Sequence, residues 1–268
     1  MKNNNNLSFW NIDKIKVYLE RLEELSPAEL HALKNDKRKG VQKLLSRYLR
    51  RREEALAAKK HLHTMMMMEE AVQKKGYRWI AGVDEAGRGP LAGPVVAAAV
   101  ILQPGEESLW EEINDSKQLS PAKREKLYRV ITSRAAAFAV GVVNAALIDQ
   151  INIYRASLEA MSLAVRQLWP QPDYVLSDAF TLPGLDIPQA AVKHGDALCL
   201  SIAAASIVAK VTRDRIMESY DRDYPGYGFA RHKGYPTPEH KAAINELGFS
   251  PIHRRTFKYD GQGEEINS

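Results

Sequence analysis

Cysteine is nearly absent from this sequence, because Cys199 is the only one among its 268 residues. A single thiol excludes an internal disulfide and any cysteine-based zinc cluster. No stretch of about 18 apolar residues occurs either, so no membrane span is expected. The N-terminus, in which Asn3–Asn6 follow Met1 and Lys2, lacks the apolar core of a signal peptide. We therefore expect a cytoplasmic protein, with Cys199 as a small buried hydrophobic residue.

The composition excludes several other classes. Hydrophobic residues make up 45% of the chain and charged residues 26%, with 16 Gly and 13 Pro. These proportions are those of a globular protein rather than a collagenous, disordered or disulfide-dense one. The length predicts one large domain, or a domain of about 200 residues with a small appendage.

Positive charge is concentrated at one end of the chain. Residues 1–75 contain 17 Lys and Arg against 10 Asp and Glu, whereas the remainder contains 21 against 23. The densest stretch runs from Lys37 to Arg52 and contains no acidic residue. Such a stretch is typical either of a solvated helix face or of a surface that contacts nucleic acid.

Hydrophobic spacing predicts two parts. Residues 7–72 have helical periodicity, and Ser26-Pro27-Ala28-Glu29 is a helix start with a capping box. From residue 73 onward, β-branched runs alternate with helical patterns, which predicts an α/β domain with a mixed central sheet. We therefore predict a small basic helical N-terminal domain with a linker at 1–72 and an α/β domain at 73–268. Strands are expected at 77–83, 95–102, 135–143, 174–177 and 189–192, and helices at 120–129, 154–168, 198–220 and from 237.

The segment from Gly82 to Pro94 contains the sharpest motif. Asp84 and Glu85 follow an apolar strand, at positions where the pattern predicts an apolar residue, and a loop rich in Gly and Pro follows. A dinucleotide-binding loop is excluded, since the glycine spacing is one residue too long and a strand follows where a helix is required. Neighbouring residues of a strand face opposite ways, so Asp84 and Glu85 are expected to converge only if the strand ends there.

Two further acidic residues lie at comparable places. Asp178 follows the apolar run 174–177, and Asp196 precedes the long apolar helix. Taken singly, Asp178 is typical of a turn and Asp196 of a helix cap. Taken together with Asp84 and Glu85, they suit hydrolysis of a phosphodiester with Mg²⁺ or Mn²⁺, hard cations that prefer carboxylate oxygens. Without a cation, such close carboxylates would raise one another's pKa.

An ordered set of motifs resembles the bacterial ribonuclease HII family, the type 2 ribonucleases H. The resemblance covers residues 77–258, and its motifs are Asp84-Glu85-Ala86-Gly87-Arg88-Gly89-Pro90, Asp115-Ser116-Lys117, Asp178, Gly195-Asp196, 201–214, Lys233-Gly234-Tyr235-Pro236-Thr237 and His253-Arg254-Arg255. It implies a ribonuclease H-like mixed sheet with flanking helices and a C-terminal helical part. One position departs from the expected pattern, because His194 stands where a lysine precedes the Gly-Asp pair. An ordinary loop histidine is the simplest interpretation.

The resemblance also implies an activity and its residues. The expected reaction is metal-dependent endonucleolytic cleavage of the RNA strand of RNA/DNA hybrids and of duplex DNA at embedded ribonucleotides, leaving a 5′-phosphate. The implied catalytic and Mn²⁺- or Mg²⁺-binding residues are Asp84, Glu85, Asp178 and Asp196. The implied substrate-binding residues are Gly87, Arg88, Gly89, Ser116, Lys117 and Tyr235. Among these, the glycine loop would sense the ribose 2′-hydroxyl, Tyr235 would stack on that sugar and Lys117 would contact phosphate.

Alternatives remain at this stage. A type 3 ribonuclease H has a different glycine loop and a sheet-containing N-terminal domain, so the sequence favours type 2. A non-catalytic hybrid-binding protein would not need acids at all four positions. Residues 7–49 are expected to bind either nucleic acid or a protein partner, and a monomer without membrane attachment is expected.

Overall fold

The computed structural model describes residues 7–113, 116 and 119–259. Contacts between residues divide the chain into two compact units, residues 1–61 and 62–268. This division falls within a long helix, eleven residues before the predicted boundary at 72, which stays a prediction. No helix in the described ranges combines the length and apolar character that crossing a membrane requires.

The N-terminal segment is helical, as predicted, although loops interrupt it. After a short 3₁₀ turn at Leu7–Phe9 come α1 (Ile12–Arg21), α2 (Pro27–Lys34) and α3 (Lys39–Gln73). The predicted capping box is present, because Ser26 accepts from the backbone N–H of Glu29 and the Glu29 carboxylate accepts from that of Ser26. Apolar residues of the three helices form a small core that consists of Leu7, Ile15, Leu19, Leu25, Leu33, Val41, Leu45 and Tyr48.

The second unit is built on a mixed five-stranded sheet. Its strands are β1 (Ile80–Ala86), β2 (Val95–Ile101), β3 (Ala137–Val143), β4 (Tyr174–Asp178) and β5 (Gln189–Val192). They lie in the order β3-β2-β1-β4-β5. β2 pairs antiparallel with both of its neighbours, β1 and β3, whereas β4 pairs parallel with both of its neighbours, β1 and β5. The predicted mixed sheet is therefore confirmed.

Helices cover both faces of this sheet. The helices of this unit are α4 (Pro121–Arg134), α5 (Ala145–Arg166), α6 (Gly195–Leu198), α7 (Leu200–Asp223), α8 (Phe229–His232) and α9 (Pro238–Leu247), with a 3₁₀ turn at Glu107–Leu109. Of these, α5 packs on one face of the sheet, and α7 with α4 packs on the other. Along β2, Ala97 and Ala99 pack in the core on the α5 side, whereas Ala98 and Val100 pack with α4 and α7. This alternation is the period of two expected for a strand. Because all of β2 is buried, the strand is apolar on both faces.

Glycine allows α7 to lie directly on β1. A Cβ atom on Gly82 would fall 2.1 Å from the backbone carbon of Ser201, which no rearrangement of a side chain could relieve. The even-numbered residues of β1 therefore face α7, and the odd-numbered residues Ala81 and Val83 face α5. This alternation decides where the two acidic residues of β1 point.

Three sequence-based expectations need correction. First, β1 does not end at its acidic pair but continues to Ala86, paired with β2 throughout. Second, an additional helical segment, which Asn144 caps and which begins at Ala145, precedes the helix expected from residue 154; Asn152 (φ 65°) lies at the kink between them and accepts from the N–H of Arg155. Third, the helix expected at 198–220 is divided by Cys199, whose extended backbone separates α6 from α7.

Candidate active site

Parallel strands place the predicted acidic residues at one edge of the sheet. In the register of β1 and β4, Val83 lies beside Ser177, so Asp84 and Asp178 follow at the same level. β5 ends at Val192 beside Asp178, and the chain then turns into the segment that contains Asp196. Carboxyl ends of parallel strands share one edge, which is the usual place of a site in such sheets.

Asp84 is buried on the α7 side of the sheet. It is 5% exposed, and its Oδ1 accepts a hydrogen bond from the backbone N–H of Glu85 at 2.7 Å. The hydroxyl of Ser206 of α7 favours the charged form of Asp84. The Ser206 hydroxyl also lies 2.8 Å from that of Ser116, and either hydroxyl can donate in this pair. Burial first, and then the charges of Glu85 and Asp178, raise the pKa of Asp84 well above its usual range.

Glu85 points to the opposite face of β1. Its side chain is 7% exposed, and Oε1 lies 3.4 Å from Nη1 of Arg88. The other oxygen, Oε2, is buried without a hydrogen-bond partner among the described atoms. Burial raises the pKa of Glu85; the Arg88 charge opposes this shift, and the Asp178 charge adds to it. The acidic pair therefore interacts through charge although its members face opposite sides of a continuous strand.

Asp178 and Asp196 are joined through the turn after β5. The backbone N–H of Gly195 donates to Oδ1 of Asp178 at 2.7 Å. Asp196 follows in the first turn of α6 and is buried. It is not the cap of that helix: His194 occupies the cap position in a left-handed conformation (φ 58°) and is exposed, with no side-chain capping bond. These contacts agree with an ordinary loop histidine.

The glycine loop after β1 is held from behind by a buried arginine. Arg213 of α7 is 1% exposed and donates to the carbonyl oxygens of Pro94, Lys233 and Ala92 at 3.0–3.2 Å. Gly87 has φ +96°, and a Cβ there would lie 2.1 Å from Nε of Arg213. Only glycine meets both requirements.

A second buried arginine completes this support. Arg254 is also 1% exposed, and it donates to the carbonyl oxygens of Gly87 at 2.6 Å, Arg88 at 2.9 Å and Gly93 at 3.0 Å. Burial, and then the charge of Arg213, lowers the pKa of Arg254 to about 9. Both guanidinium groups bond to backbone carbonyls of this region, so they fix the path of the loop and place positive charge behind it.

Tyr235 lies across from the loop. The residue is 44% exposed, and a Cβ on Gly89 would be 3.8 Å from its Cε1. The backbone N–H of Leu91 donates to Gly234 O at 2.8 Å, which ties the two segments together. A cavity of about 240 Å³ lies between them, lined by Asp84, Glu85, Ala86, Gly87, Arg88, Gly89, Ser116, Ser206, Lys210, Arg213 and Tyr235.

Most of the predicted site residues line this cavity. Asp178 and Asp196 are not among the lining residues. The charge of Asp178 acts on Asp84 and Glu85, and Asp196 follows Gly195, whose N–H bonds to Asp178. Lys117 lies outside the described residues. Sequence reasoning assigned no role to four residues of the site: Ser206, Lys210, Arg213 and Arg254. Of these four, Lys210 had a signal in the sequence, because it is the charged residue that ends the apolar stretch of α7. In the structure it bonds to Asp214 at 2.7 Å.

The donor chemistry of this edge fits a divalent cation. The groups are carboxylate oxygens, as Mg²⁺ and Mn²⁺ prefer, and Glu85 contributes a buried oxygen that lacks a partner. A cation would also remove the repulsion that raises the pKa of Asp84. Within the described part of the chain, no three or more His, Cys, Asp or Glu side chains already form a metal-holding group. The fit is therefore one of donor type and charge.

Solved structures share this architecture. The ribonuclease H2 of Pyrococcus horikoshii OT3 superposes with a TM-score of 0.60 at 32% identity, over 68% of this chain and 94% of that one. The ribonuclease HII of Archaeoglobus fulgidus, solved in a complex with PCNA, superposes with a TM-score of 0.58 at 25% identity, over 70% and 98%. The fold and its acidic edge define a hydrolase of the ribonuclease H class.

Sequence comparison identifies the family. The model of ribonuclease HII matches residues 81–260, and that of the ribonuclease HII N-terminal domain matches residues 11–73. The ribonuclease HII of Geobacillus thermodenitrificans is 49% identical over 248 residues, which are 92% of this chain and 95% of that protein. The chain belongs to the ribonuclease HII family. The type 2 interpretation is thereby confirmed over type 3.

Proposed function

We propose that this ribonuclease H hydrolyses the RNA strand of RNA/DNA hybrids and also incises duplex DNA at a single embedded ribonucleotide. The observation that carries the proposal is the cavity in which buried Asp84 and Glu85 adjoin a glycine loop facing Tyr235. A lone ribonucleotide differs from its neighbours by one hydroxyl, which donates and accepts hydrogen bonds. Gly87 and Gly89 let backbone groups approach that hydroxyl, and the exposed Tyr235 ring offers a flat surface to the sugar.

The reaction is hydrolysis of a phosphodiester. Water adds to phosphorus, the bond from phosphorus to O3′ breaks, and the products end in a 5′-phosphate and a 3′-hydroxyl. Asp84, Glu85, Asp178 and Asp196 would hold Mg²⁺ or Mn²⁺, which activates water and stabilises negative charge in such displacements. Ser206 orients the Asp84 carboxylate, while Arg213 and Arg254 fix the loop that receives the sugar.

The test compares three duplexes of one sequence: DNA with one ribonucleotide, an RNA/DNA hybrid, and DNA alone. We expect cleavage of the first two with Mn²⁺ or Mg²⁺, none with EDTA, and a 5′-phosphate on the downstream fragment. Cleavage that persists in EDTA would contradict the metal dependence. Cleavage of the hybrid without incision at the single ribonucleotide would contradict the second activity.

We propose that the N-terminal unit adds affinity for nucleic acid. Within the basic stretch, Arg38, Arg51 and Arg52 bond to groups of their own unit. The side chains of Lys39, Lys43 and Arg47, in contrast, are exposed on one helix. These three supply the charge that phosphates would meet.

A triple substitution of Lys39, Lys43 and Arg47 to Gln tests this role. Each lost phosphate contact should reduce the slope of log affinity against log salt by about 0.9. Substituting Lys14, Lys16 and Lys34 to Gln removes the same charge from the same unit as a control. Equal slopes in the two variants would instead favour a protein partner for residues 1–72. The monomeric state and the cytoplasmic location also stay predictions.

A further inference from the structure

Three histidine rings are packed together behind Tyr235. His240 is 0% exposed, His253 3% and His232 8%. The rings of His232 and His240 stack with centroids 4.3 Å apart, and those of His240 and His253 lie 5.2 Å apart. Phe229 packs against all three rings. None of these histidines lines the cavity of the site, and the proposed reaction assigns them no role.

Hydrogen bonds determine which nitrogen of each ring carries the proton. The backbone N–H of Ser250 donates to Nδ1 of His253 at 2.9 Å, so Nδ1 is an acceptor and Nε2 of His253 bears the hydrogen. His253 Nε2 lies 3.0 Å from Nε2 of His240, which must therefore accept. The hydrogen of His240 is then on Nδ1, which donates to the carbonyl oxygen of Tyr235 at 2.9 Å.

The result is a one-way chain of hydrogen bonds from Ser250 through His253 and His240 to Tyr235. It requires both rings to be neutral. Burial, and then the neighbouring histidines, lowers the pKa of His240 and His253 to about 4, so both remain neutral near pH 7. In the same cluster, the N–H of Gly234 donates to Nδ1 of His232 at 3.1 Å, and Nε2 of His232 then donates to Tyr227 O at 2.7 Å.

The same C-terminal turn also supports the opposite side of the site. His253 pairs with Ala92 in an isolated β-bridge, and the next residue, Arg254, donates to the carbonyl oxygens of Gly87 and Arg88. Consecutive side chains therefore reach the two elements that enclose the cavity. Arg254 fixes the glycine loop, and His253 acts through His240 on the backbone of Tyr235, whose ring remains exposed.

We propose that His240 and His253 are positioning residues for substrate selection: their fixed tautomers hold the Tyr235 backbone so that its ring faces Gly89. The inference rests on the proposed role of Tyr235 at the sugar. Neither histidine is placed against substrate. A long hybrid offers many equivalent riboses and tolerates a mobile ring, whereas a single ribonucleotide offers one, so the loss should fall on the latter substrate.

The first test compares three variants by kcat and KM on both substrates. His240→Leu removes the donor to Tyr235 O, and His240→Asn places an amide N–H near the position of Nδ1. Phe229→Leu is the control, because it disturbs the same cluster without removing a hydrogen bond. A misplacement of about 1 Å can cost about a hundredfold in rate. We expect His240→Leu to lower kcat on the single ribonucleotide about 10-fold or more relative to hybrid, and His240→Asn to recover most of it.

Phe229→Leu should lower the melting temperature but leave the ratio between the two substrates unchanged. A ratio that changes equally in Phe229→Leu and His240→Leu would overturn the proposal in favour of plain packing. Tyr235→Ala separates the proposed role of Tyr235 at the sugar from the positioning role of the two histidines. If Tyr235→Ala leaves the ratio unchanged, the proposed role of Tyr235 fails; if it changes the ratio and His240→Leu does not, the positioning role alone fails.

The second test is independent of activity and of variant folding. Nitrogen NMR of the unmodified protein with ¹⁵N-labelled histidine at neutral pH reports the protonated nitrogen of each ring. We expect the hydrogen on Nδ1 in His240 and on Nε2 in His253. The reverse assignment in either ring, or a charged ring, would break the chain and overturn the proposal.

Discussion

The acidic edge and the histidine cluster both bury polar side chains, but they differ in how these are satisfied. At the edge, Asp84 and Glu85 have raised pKa values, and Glu85 Oε2 has no partner among the described atoms. In the cluster, both ring nitrogens of His232, His240 and His253 have partners with a definite direction. Burying an unpaired polar group is costly, whereas a fully satisfied network stabilises one arrangement. The first pattern marks a place for a ligand, and the second marks a scaffold.

Changing Asp84 to Asn should give the largest loss of cleavage, and it distinguishes a place for a ligand from a scaffold. Asp84 is proposed as a metal ligand. Loss of a side chain that only supports such a ligand costs about 10- to 100-fold in affinity or activity, so loss of the ligand itself should reduce cleavage by more than about 100-fold. The same change relieves repulsion with Glu85 and Asp178, so the melting temperature without metal should hold or rise. Cleavage assays at saturating Mn²⁺ and thermal unfolding in EDTA measure both results.

Asp149→Asn is the matched control for that experiment. Asp149 accepts hydrogen bonds from the backbone of Arg255 and Thr256 and from the Thr256 hydroxyl, away from the cavity. We expect it to lose stability and keep cleavage, the opposite of Asp84→Asn. A large loss of stability in Asp84→Asn would show that the edge is a satisfied scaffold like the cluster.

Ser206→Ala should have the next largest effect. It removes the hydroxyl that favours the charged form of buried Asp84 and that is hydrogen-bonded to Ser116. As the partner of a metal ligand, Ser206 should contribute about 10- to 100-fold to activity or Mn²⁺ affinity. Ser157 provides the control, since its buried hydroxyl has no partner among the described atoms and Ser157→Ala should leave cleavage unchanged. Equal activity in the two variants would remove Ser206 from the site.

The last prediction concerns stability between pH 6.5 and pH 4, where no effect on cleavage is involved. The pKa of His240 and His253 falls from 6.5 to about 4 on folding, because of burial and neighbouring charges that include His232 and Arg255. The unfolded chain therefore binds more protons in this window, and stability is lost as pH falls, by up to about 1.4 kcal/mol per pH unit for each group. Asp84 and Glu85, with raised pKa values, contribute the opposite sign.

Comparing the pH dependence of the free energy of unfolding between His240→Asn and the unmodified chain isolates the histidine contribution. Chemical unfolding at several pH values should give a shallower loss of stability for His240→Asn than for the unmodified chain, because the acidic edge is common to both. Parallel curves would show that the cluster takes up protons without unfolding. The cluster would then be less rigid than its hydrogen bonds indicate.

Local sequence patterns were sufficient for the frame of the site. Apolar runs predicted the strands, and acidic residues at or after the ends of β1 and β4 predicted an acidic edge of the sheet, whose catalytic role stays a proposal. The loop rich in Gly and Pro was also expected after β1, and in the structure Gly87 of this loop has φ +96°. The weak point was β1, where a strand end was expected because adjacent side chains alternate. Charge interaction between Asp84 and Glu85 acts across a continuous strand and leaves no trace in local spacing.

What the sequence determined by itself is therefore the family, the order of strands and helices along the chain, and the acidic residues, because each depends on residue type and short-range periodicity. Tertiary structure decided which groups support them. Arg213 and Arg254 bond to carbonyl oxygens more than a hundred residues away, and His240 bonds to the carbonyl of Tyr235. Every residue has a carbonyl group, so such a contact gives no signal at its acceptor. Only the folded chain shows which carbonyl a buried side chain reaches.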